Sequence, residues 1–271
     1  MKLGRSHDKS APRIASLVPS LTELAAALGL APCLVARTGY CIHPKELLRQ
    51  IPKVGGTKTV NLKKLRRLAP THVLVNIDEN RLETVQAIRE WGTDGPQVIV
   101  THPCGPQDNL VLVQQMVESF GRVDGVPDRA ASLSRELSAG LALTRAGAWL
   151  PQKVLYLVWR DPWMTVATDT YLSRMLAEIG WTTLPDAPGG ASGAGRYPVV
   201  HGVEPWLAQV QQVLLSSEPY SFGPGDFEAA RALCPGARVR LVDGELLSWY
   251  GARAVAGLRY LRELGSSVLD R

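Results

Sequence analysis

Short, continuous apolar runs alternate with longer amphipathic stretches along this chain. The runs Arg13–Val18, Leu34–Arg37, His72–Asn76 and Gln97–Thr101 read as strands. Between them, Ser20 to Gly29, Asn61 to Leu68, Glu79 to Trp91 and Gln107 to Phe120 carry apolar positions at helical spacing. Ser20 with Glu23 three residues on predicts a capping box, and Asp78 with Glu79 behind it predicts an N-cap. Strands alternating with helices predict a parallel sheet with right-handed crossovers, in the order 2-1-3-4.

From Pro127 to Trp149 the texture changes: Leu133, Leu137, Leu141 and Leu143 recur with no strand signal, until Pro151 stops the run. This predicts one long helix. A second alternating series follows, with strands at Lys153–Val158, Val213–Leu215 and Arg238–Val242. Its helices run over Thr170–Gly180, from Pro205, from Asp226 and over Ala252–Leu264. Leu28-Gly29 at the end of the first helix is echoed by Ile179-Gly180, a faint internal repeat. The expected fold is α/β: two Rossmann-like lobes joined by a single long helix, with a ligand cleft between lobes. The expected division is a disordered tail at 1–12, an N-terminal lobe at 13–126, the connecting helix at 127–149 and a C-terminal lobe at 150–271. A continuous helix between lobes predicts a small opening motion.

With 45% apolar and 20% charged residues, the composition excludes a disordered chain, and no apolar run reaches the roughly 18 residues of a membrane span. A net charge of +5, scattered along the sequence, requires no nucleic-acid partner. Residues 1–10 are polar and carry no secretory leader, which predicts a cytoplasmic protein; a periplasmic one is the alternative if a leader has been removed. Cys33, Cys41, Cys104 and Cys234 form no CxxC pair and read as free thiols.

Ligands of parallel α/β sheets bind beyond the carboxyl ends of the strands, so candidate chemistry belongs to the loops there. Asn76 and Asn80 either hydrogen-bond a ligand or shape the turn after the third strand. Trp159-Arg160-Asp161-Pro162-Trp163 places two indoles around a charged pair, where the indoles suit a planar ligand and Arg160 an anion. Trp249 and Tyr250 precede the last helix and either reach the ligand or pack beneath it. Trp91, Trp149, Trp181 and Trp206 read as core or rim. Cys41-Ile42-His43 and His102-Pro103-Cys104 hold zinc-type donors, but on opposite edges of the expected sheet. Lys63, Lys64, Arg66 and Arg67 alternate with leucines as a solvated basic face. No GxGxxG after a strand, P-loop, GxSxG or HExxH occurs, so no catalytic residue is assigned and no cofactor is required.

Three segments carry a family resemblance: Arg13-Ile14-Ala15-Ser16-Leu17-Val18-Pro19-Ser20-Leu21-Thr22-Glu23-Leu24; Pro52-Lys53-Val54-Gly55-Gly56 leading to Val60-Asn61-Leu62; and Leu68-Ala69-Pro70-Thr71-His72-Val73-Leu74-Val75. With the long helix, they resemble the helical-backbone (class III) periplasmic-binding-protein type that delivers cobalamin, haem and ferric siderophores to ABC importers. The resemblance extends over roughly residues 12 to 265. It implies a non-catalytic binding protein whose ligand is a corrinoid or another bulky metal chelate. A conventional importer component is one alternative. The other is an enzyme acting on a tetrapyrrole or nucleotide-like compound through Asp78, Asp161 or His201.

The resemblance also places Tyr40 against the corrin ring and Tyr197 near a ligand-site tryptophan, whereas Thr57 and Asn76 stand where cobalamin binders have tryptophans. It implies a docking glutamate on each lobe for arginines of the permease. Glu204 fills the second position, but Lys63 stands at the first, and its charge would repel those arginines. The expected protein is therefore a cytosolic relative that does not dock normally.

Overall fold

The computed structural model describes residues 11–268. The tail expected at 1–12 lies outside the described residues except for Ala11 and Pro12. The chain divides into two units, one formed by residues up to His102 with Leu112–Leu133, the other by Pro103–Val111 with the chain from Ser134 onward.

In the first unit, β1 (Ile14–Ser16), α1 (Pro19–Ala27), β2 (Leu34–Arg37), α2 (Lys45–Leu48), α3 (Leu62–Arg67), β3 (His72–Asn76), α4 (Leu82–Arg89) and β4 (Gln97–Thr101) follow one another. The strands form a parallel sheet in the order β2-β1-β3-β4, as expected. The central strands β1 and β3 are apolar on both faces because helices cover both sides. Ala15, Leu17, Val73, Val75, Leu65 and Ile88 pack together on one of those faces.

Helix α5 (Asp108–Phe120) and helix α6 (Val126–Arg145) carry the chain from one unit to the other. The long helix ends four residues before the expected Trp149. There the Trp149 indole turns back and donates to the Thr144 carbonyl at 2.7 Å, so a side chain satisfies one of the carbonyls that the helix end leaves open.

The second unit contains β5 (Gln152–Leu157), β6 (Trp163–Met164), α7 (Tyr171–Ala177), β7 (Trp181–Thr183), β8 (Val199–Val200), β9 (Gln212–Ser216), α8 (Phe227–Leu233), β10 (Arg238–Val242), α9 (Gly244–Ser248) and α10 (Ala254–Ser266). Its main sheet is parallel, β10-β9-β5-β7. With only the strands of this main sheet numbered in chain order, that is again 2-1-3-4, so the faint repeat reflects a shared topology. Gly29 and Gly180 occupy equivalent places after α1 and α7, with φ of 83° and 70° that an L side chain rarely adopts.

Several local expectations fail for identifiable reasons. No Ser20 cap forms: α1 starts from an extended Val18 with Pro19 in its first turn, and Thr22 Oγ1 bonds Ser16 Oγ and the Val18 carbonyl instead. Nor does Asp78 cap α4, whose N-cap is Arg81 without a side-chain bond. The helix expected from Pro205 is only a 3₁₀ turn, Pro205–Gln209. Strands β6, β7 and β8 are too short for periodicity to reveal. No helix among the described residues is long and apolar enough to cross a membrane.

Glycine in the Pro52–Gly56 segment has a steric cause. Gly55 sits at φ 104°, and a Cβ there would run into the Thr59 carbonyl oxygen. Its own carbonyl accepts from Gly39 N at 2.7 Å, tying this segment to the loop after β2. Gly55→Ala is expected to cost roughly 1 to 3 kcal/mol of stability, read as a lowered urea midpoint at unchanged slope. An unshifted midpoint would show that the segment relaxes freely.

Candidate functional site

In each lobe the strand order reverses direction beside its first strand, between β1 and β3 and between β5 and β9, so the loops after these strands flank a topological switch point. The two sets of loops differ in chemistry.

On the first lobe, Asn76 and Asn80 build the edge. Both are buried. Asn76 Oδ1 accepts from the backbone N–H of Asp78 at 2.8 Å and of Glu79 at 3.3 Å, and its Nδ2 faces Thr101 Oγ1 at 3.5 Å. Asn80 Oδ1 accepts from Asn76 N at 2.9 Å, while its Nδ2 donates to the Leu17 carbonyl at 3.2 Å and the Thr57 carbonyl at 3.0 Å. These bonds match the turn-shaping alternative: both amide oxygens and the Asn80 Nδ2 are engaged by backbone groups, and the Asn76 Nδ2 faces a threonine hydroxyl. Asp78 pairs with His102 at 3.5 Å, and Lys58 Nζ donates to the Asp78 carbonyl at 2.7 Å.

Apolar surface remains around this framework. Tyr40 is 65% exposed, Ile42 50% and Ile77 42%. The tyrosine ring lies over Gly56, where an added Cβ would come within 3.2 Å of it. Beneath that loop the Arg37 guanidinium is buried and donates to the carbonyls of Leu48, Thr38 and Cys41 at 3.2, 3.2 and 2.9 Å. Arg37 thus fixes the path of the segment that presents Tyr40. Cys41 is buried, with its thiol 3.1 Å from Thr38 Oγ1; burial first, with a smaller contribution from Glu79, pushes its pKa up, which disfavours the thiolate a metal would require. Among the described residues, no three His, Cys, Asp or Glu side chains stand close enough to share a metal ion.

The second lobe carries an aromatic cluster. Val158 N and Met164 N bond Met164 O and Trp159 O, closing a tight hairpin whose tip holds Asp161 at φ 60°, a left-handed conformation that Asp tolerates. Trp159 is 41% exposed and meets Tyr220 edge-on at 5.7 Å. Trp163 stacks on Phe222 at 6.0 Å, and Tyr220 lies 4.6 Å from Phe222. Arg160 sits over the Trp163 ring at 5.4 Å and is hydrogen-bonded to Asp226, with Asp161 more distant at 3.9 Å. The expected anion anchor is thus already paired inside the lobe. Sequence reasoning missed Tyr220, Phe222 and Asp226, although the rule that singled out Trp159, aromatics directly after a strand, applies equally to the segment behind β9.

Other candidates sit elsewhere. Trp249 and Tyr250 are buried. Trp249 Nε1 donates to Glu218 at 2.6 Å beneath the Arg253 guanidinium, and Tyr250 packs edge-on against Tyr171 at 5.8 Å. The packing alternative describes both. Tyr197 is half-buried against the lobe core. His201 is exposed, and its backbone N–H belongs to a small loop closed by Glu204, whose carboxylate accepts from the N–H groups of His201, Gly202 and Val203 at 2.6, 2.8 and 3.0 Å. Burial works to raise the Glu204 pKa, but those three donors outweigh it and hold it below the ordinary range. Lys63 is exposed on α3.

The fold, two parallel α/β lobes with one topology, is shared with solved periplasmic ligand-binding proteins. The solved structure of a periplasmic vitamin B12 binding protein from Vibrio cholerae has a TM-score of 0.76 to this chain at 18% identity, covering 96% of this chain and 99% of that one. A periplasmic haem-binding protein from the same species gives 0.75 at 22% identity, over 96% and 99%. In sequence, the chain is similar to an uncharacterized ABC transporter substrate-binding lipoprotein of Bacillus subtilis, 27% identical over 66% of this chain and 60% of the relative's length. It is also similar to a vitamin B12-binding protein of Vibrio cholerae, 25% identical over 77% of this chain and 71% of that protein. No protein-family model matches the chain.

Glu218 offers a test of the buried network behind the aromatic cluster. Its pKa is raised, by burial first and then by Glu245 and Asp243, against the hydrogen bonds from Ser248 and Trp249. A carboxyl whose folded pKa lies above its unfolded one supplies stability at acid pH that is lost as pH rises through the folded value. Glu218→Gln is therefore expected to melt increasingly above the parent as pH rises through that range, with the difference vanishing in acid. A difference independent of pH would contradict the assignment.

Proposed function

We propose that this protein is a non-catalytic receptor for a bulky planar metal chelate, with a corrinoid as the first candidate and haem as the second. The observation that carries the reading is exposed aromatic surface in the carboxyl-edge loops of each lobe: Tyr40 on the first, and Trp159 backed by Tyr220 on the second. Flat apolar rings with few free polar anchors suit a large delocalised ligand better than a small polar one. Descriptions of the relatives as vitamin B12-binding and haem-binding proteins support the same class.

Of the expected ligand residues, we retain Tyr40 and Trp159 as direct contacts and Trp163 as the packed base of the second cluster. Arg160, Asn76, Asn80, Trp249 and Tyr250 act as framework, and Tyr197 as a flanking contact. Because Asp226 neutralises Arg160, binding should depend only weakly on salt. The enzyme alternative has little to draw on: Asp78 is paired with His102, while Asp161 and His201 are exposed.

Delivery to an ABC importer is the second reading, favoured by the substrate-binding description of the Bacillus relative. Lys63 at the first docking position and a Glu204 carboxylate engaged by its own loop speak against docking in the usual manner. The cytosolic expectation finds no support among the relatives, which are described as periplasmic or as a lipoprotein.

Spectral titration with cyanocobalamin and with haemin, alongside native mass spectrometry of freshly purified protein, tests the reading. One of the two should bind as a discrete complex. Trp159→Ala should then weaken it about 5- to 150-fold, the equivalent of roughly 1 to 3 kcal/mol, with melting nearly unmoved. Trp163→Ala should lower the melting temperature as well, since it unstacks Phe222. Full affinity in Trp159→Ala, or no binding of either chelate, would overturn the proposal.

A further inference from the structure

The helix side of the first lobe carries a second surface with a different chemistry. Leu62, Lys63, Arg66 and Arg67 of α3 and Trp91, just beyond α4, line an open groove of about 410 Å³. Arg67 and Trp91 lead into the starts of β3 and β4, so that end of the groove lies toward the amino ends of the strands. Its floor is apolar: Leu62 and Trp91 are half-buried against the lobe core. Its walls are cationic.

This charge does nothing evident for the fold. Lys63, Lys64, Arg66 and Arg67 are all exposed on a six-residue helix, where like charges three and four residues apart repel. Lys63 and Lys64 lie in its first turn, where a cation opposes the helix dipole. Among the described residues, no carboxylate pairs with any of the four. The nearest acids along the chain from Trp91, Glu90 and Asp94, are exposed and make no ion pair with them. One cation is pre-oriented, since the Arg66 guanidinium sits 5.7 Å from the centre of the Trp91 ring.

We propose that this groove docks an acidic segment of a partner protein, one that places an apolar side chain on Leu62 and Trp91 between flanking carboxylates. The cations are spread along a turn of helix instead of converging on one point, which matches carboxylates at successive positions of a chain rather than a single phosphate. A lone half-buried indole among three cations lacks the interleaved aromatics of a nucleic-acid platform. The proposal is independent of the chelate reading, because none of the groove residues belongs to the aromatic loops.

Fluorescence anisotropy with a labelled peptide of alternating glutamate and leucine gives the test, with a glutamate–serine peptide, a single-stranded oligonucleotide and phosphatidylglycerol vesicles as comparators. The glutamate–leucine peptide should bind most tightly, and should weaken on the order of tenfold in the double variant Lys63→Glu, Arg67→Glu and again as sodium chloride is raised. Should that variant fail to fold, Lys63→Gln with Arg67→Gln should give a smaller loss in the same direction. Chelate titration of the same variants should be unchanged, which separates failure here from failure of the chelate reading. Absent or variant-insensitive peptide binding overturns the proposal. So does tighter binding of the oligonucleotide or vesicles, or displacement of the peptide by inorganic phosphate beyond the effect of chloride at equal ionic strength.

Discussion

At the carboxyl edge of the first lobe's sheet, backbone polar groups that the strand ladder leaves open must find partners, and Asn80 takes three of them. Its amide joins the segment after β1, through Leu17, to the loop around Thr57 and to the end of β3. Asn76 then shapes the turn between. Because these two asparagines and Arg37 absorb the polar demands of the edge, the outward positions can be apolar. Tyr40, Ile42 and Ile77 stand on a framework that needs nothing from them.

The second lobe ties its carboxyl edge together through side-chain pairs instead. Tyr156 reaches across from β5 to Ser216 on β9 with a buried 2.9 Å hydrogen bond, and burial keeps the Tyr156 pKa well above the ordinary phenol range. Above that bond the Arg160–Asp226 pair joins the hairpin after β5 to the segment after β9. The aromatic cluster rests on these two links. Removing Arg160 would leave the buried Asp226 carboxylate without its cation, so Arg160 matters to the shape of the cluster even where it touches no ligand.

Much of this was legible in the sequence. Central strands such as His72–Asn76 and Gln212–Ser216 are apolar on both faces, and that continuity, alternating with helical periodicity, is enough to order the first sheet. The resemblance of the Pro52–Gly56 and Leu68–Val75 segments extended the inference to the class of fold. Side-chain roles were harder to read. An asparagine after a strand looks the same whether its amide faces a ligand or a carbonyl distant in sequence, and the Asn80–Leu17 bond joins residues 63 positions apart. Arg160 looked like an anion anchor because its partner, Asp226, is 66 positions away. For Trp249 the sequence leaves ligand contact and packing equally open, because nothing local reveals Glu218 beneath it. Exposure and long-range pairing are properties of the packed chain, which is why elements were recovered and several contacts were not.

Hydrogen–deuterium exchange with and without the chelate tests most directly the claim that a rigid polar framework presents the aromatic loops to a ligand. On addition of cyanocobalamin or haemin, the account predicts protection concentrated at residues 38–42, 159–163 and 218–222, with the already bonded turn at 76–80 changing little. Protection confined to α3 and Trp91, or spread evenly over both sheets with those loops unaffected, would contradict it.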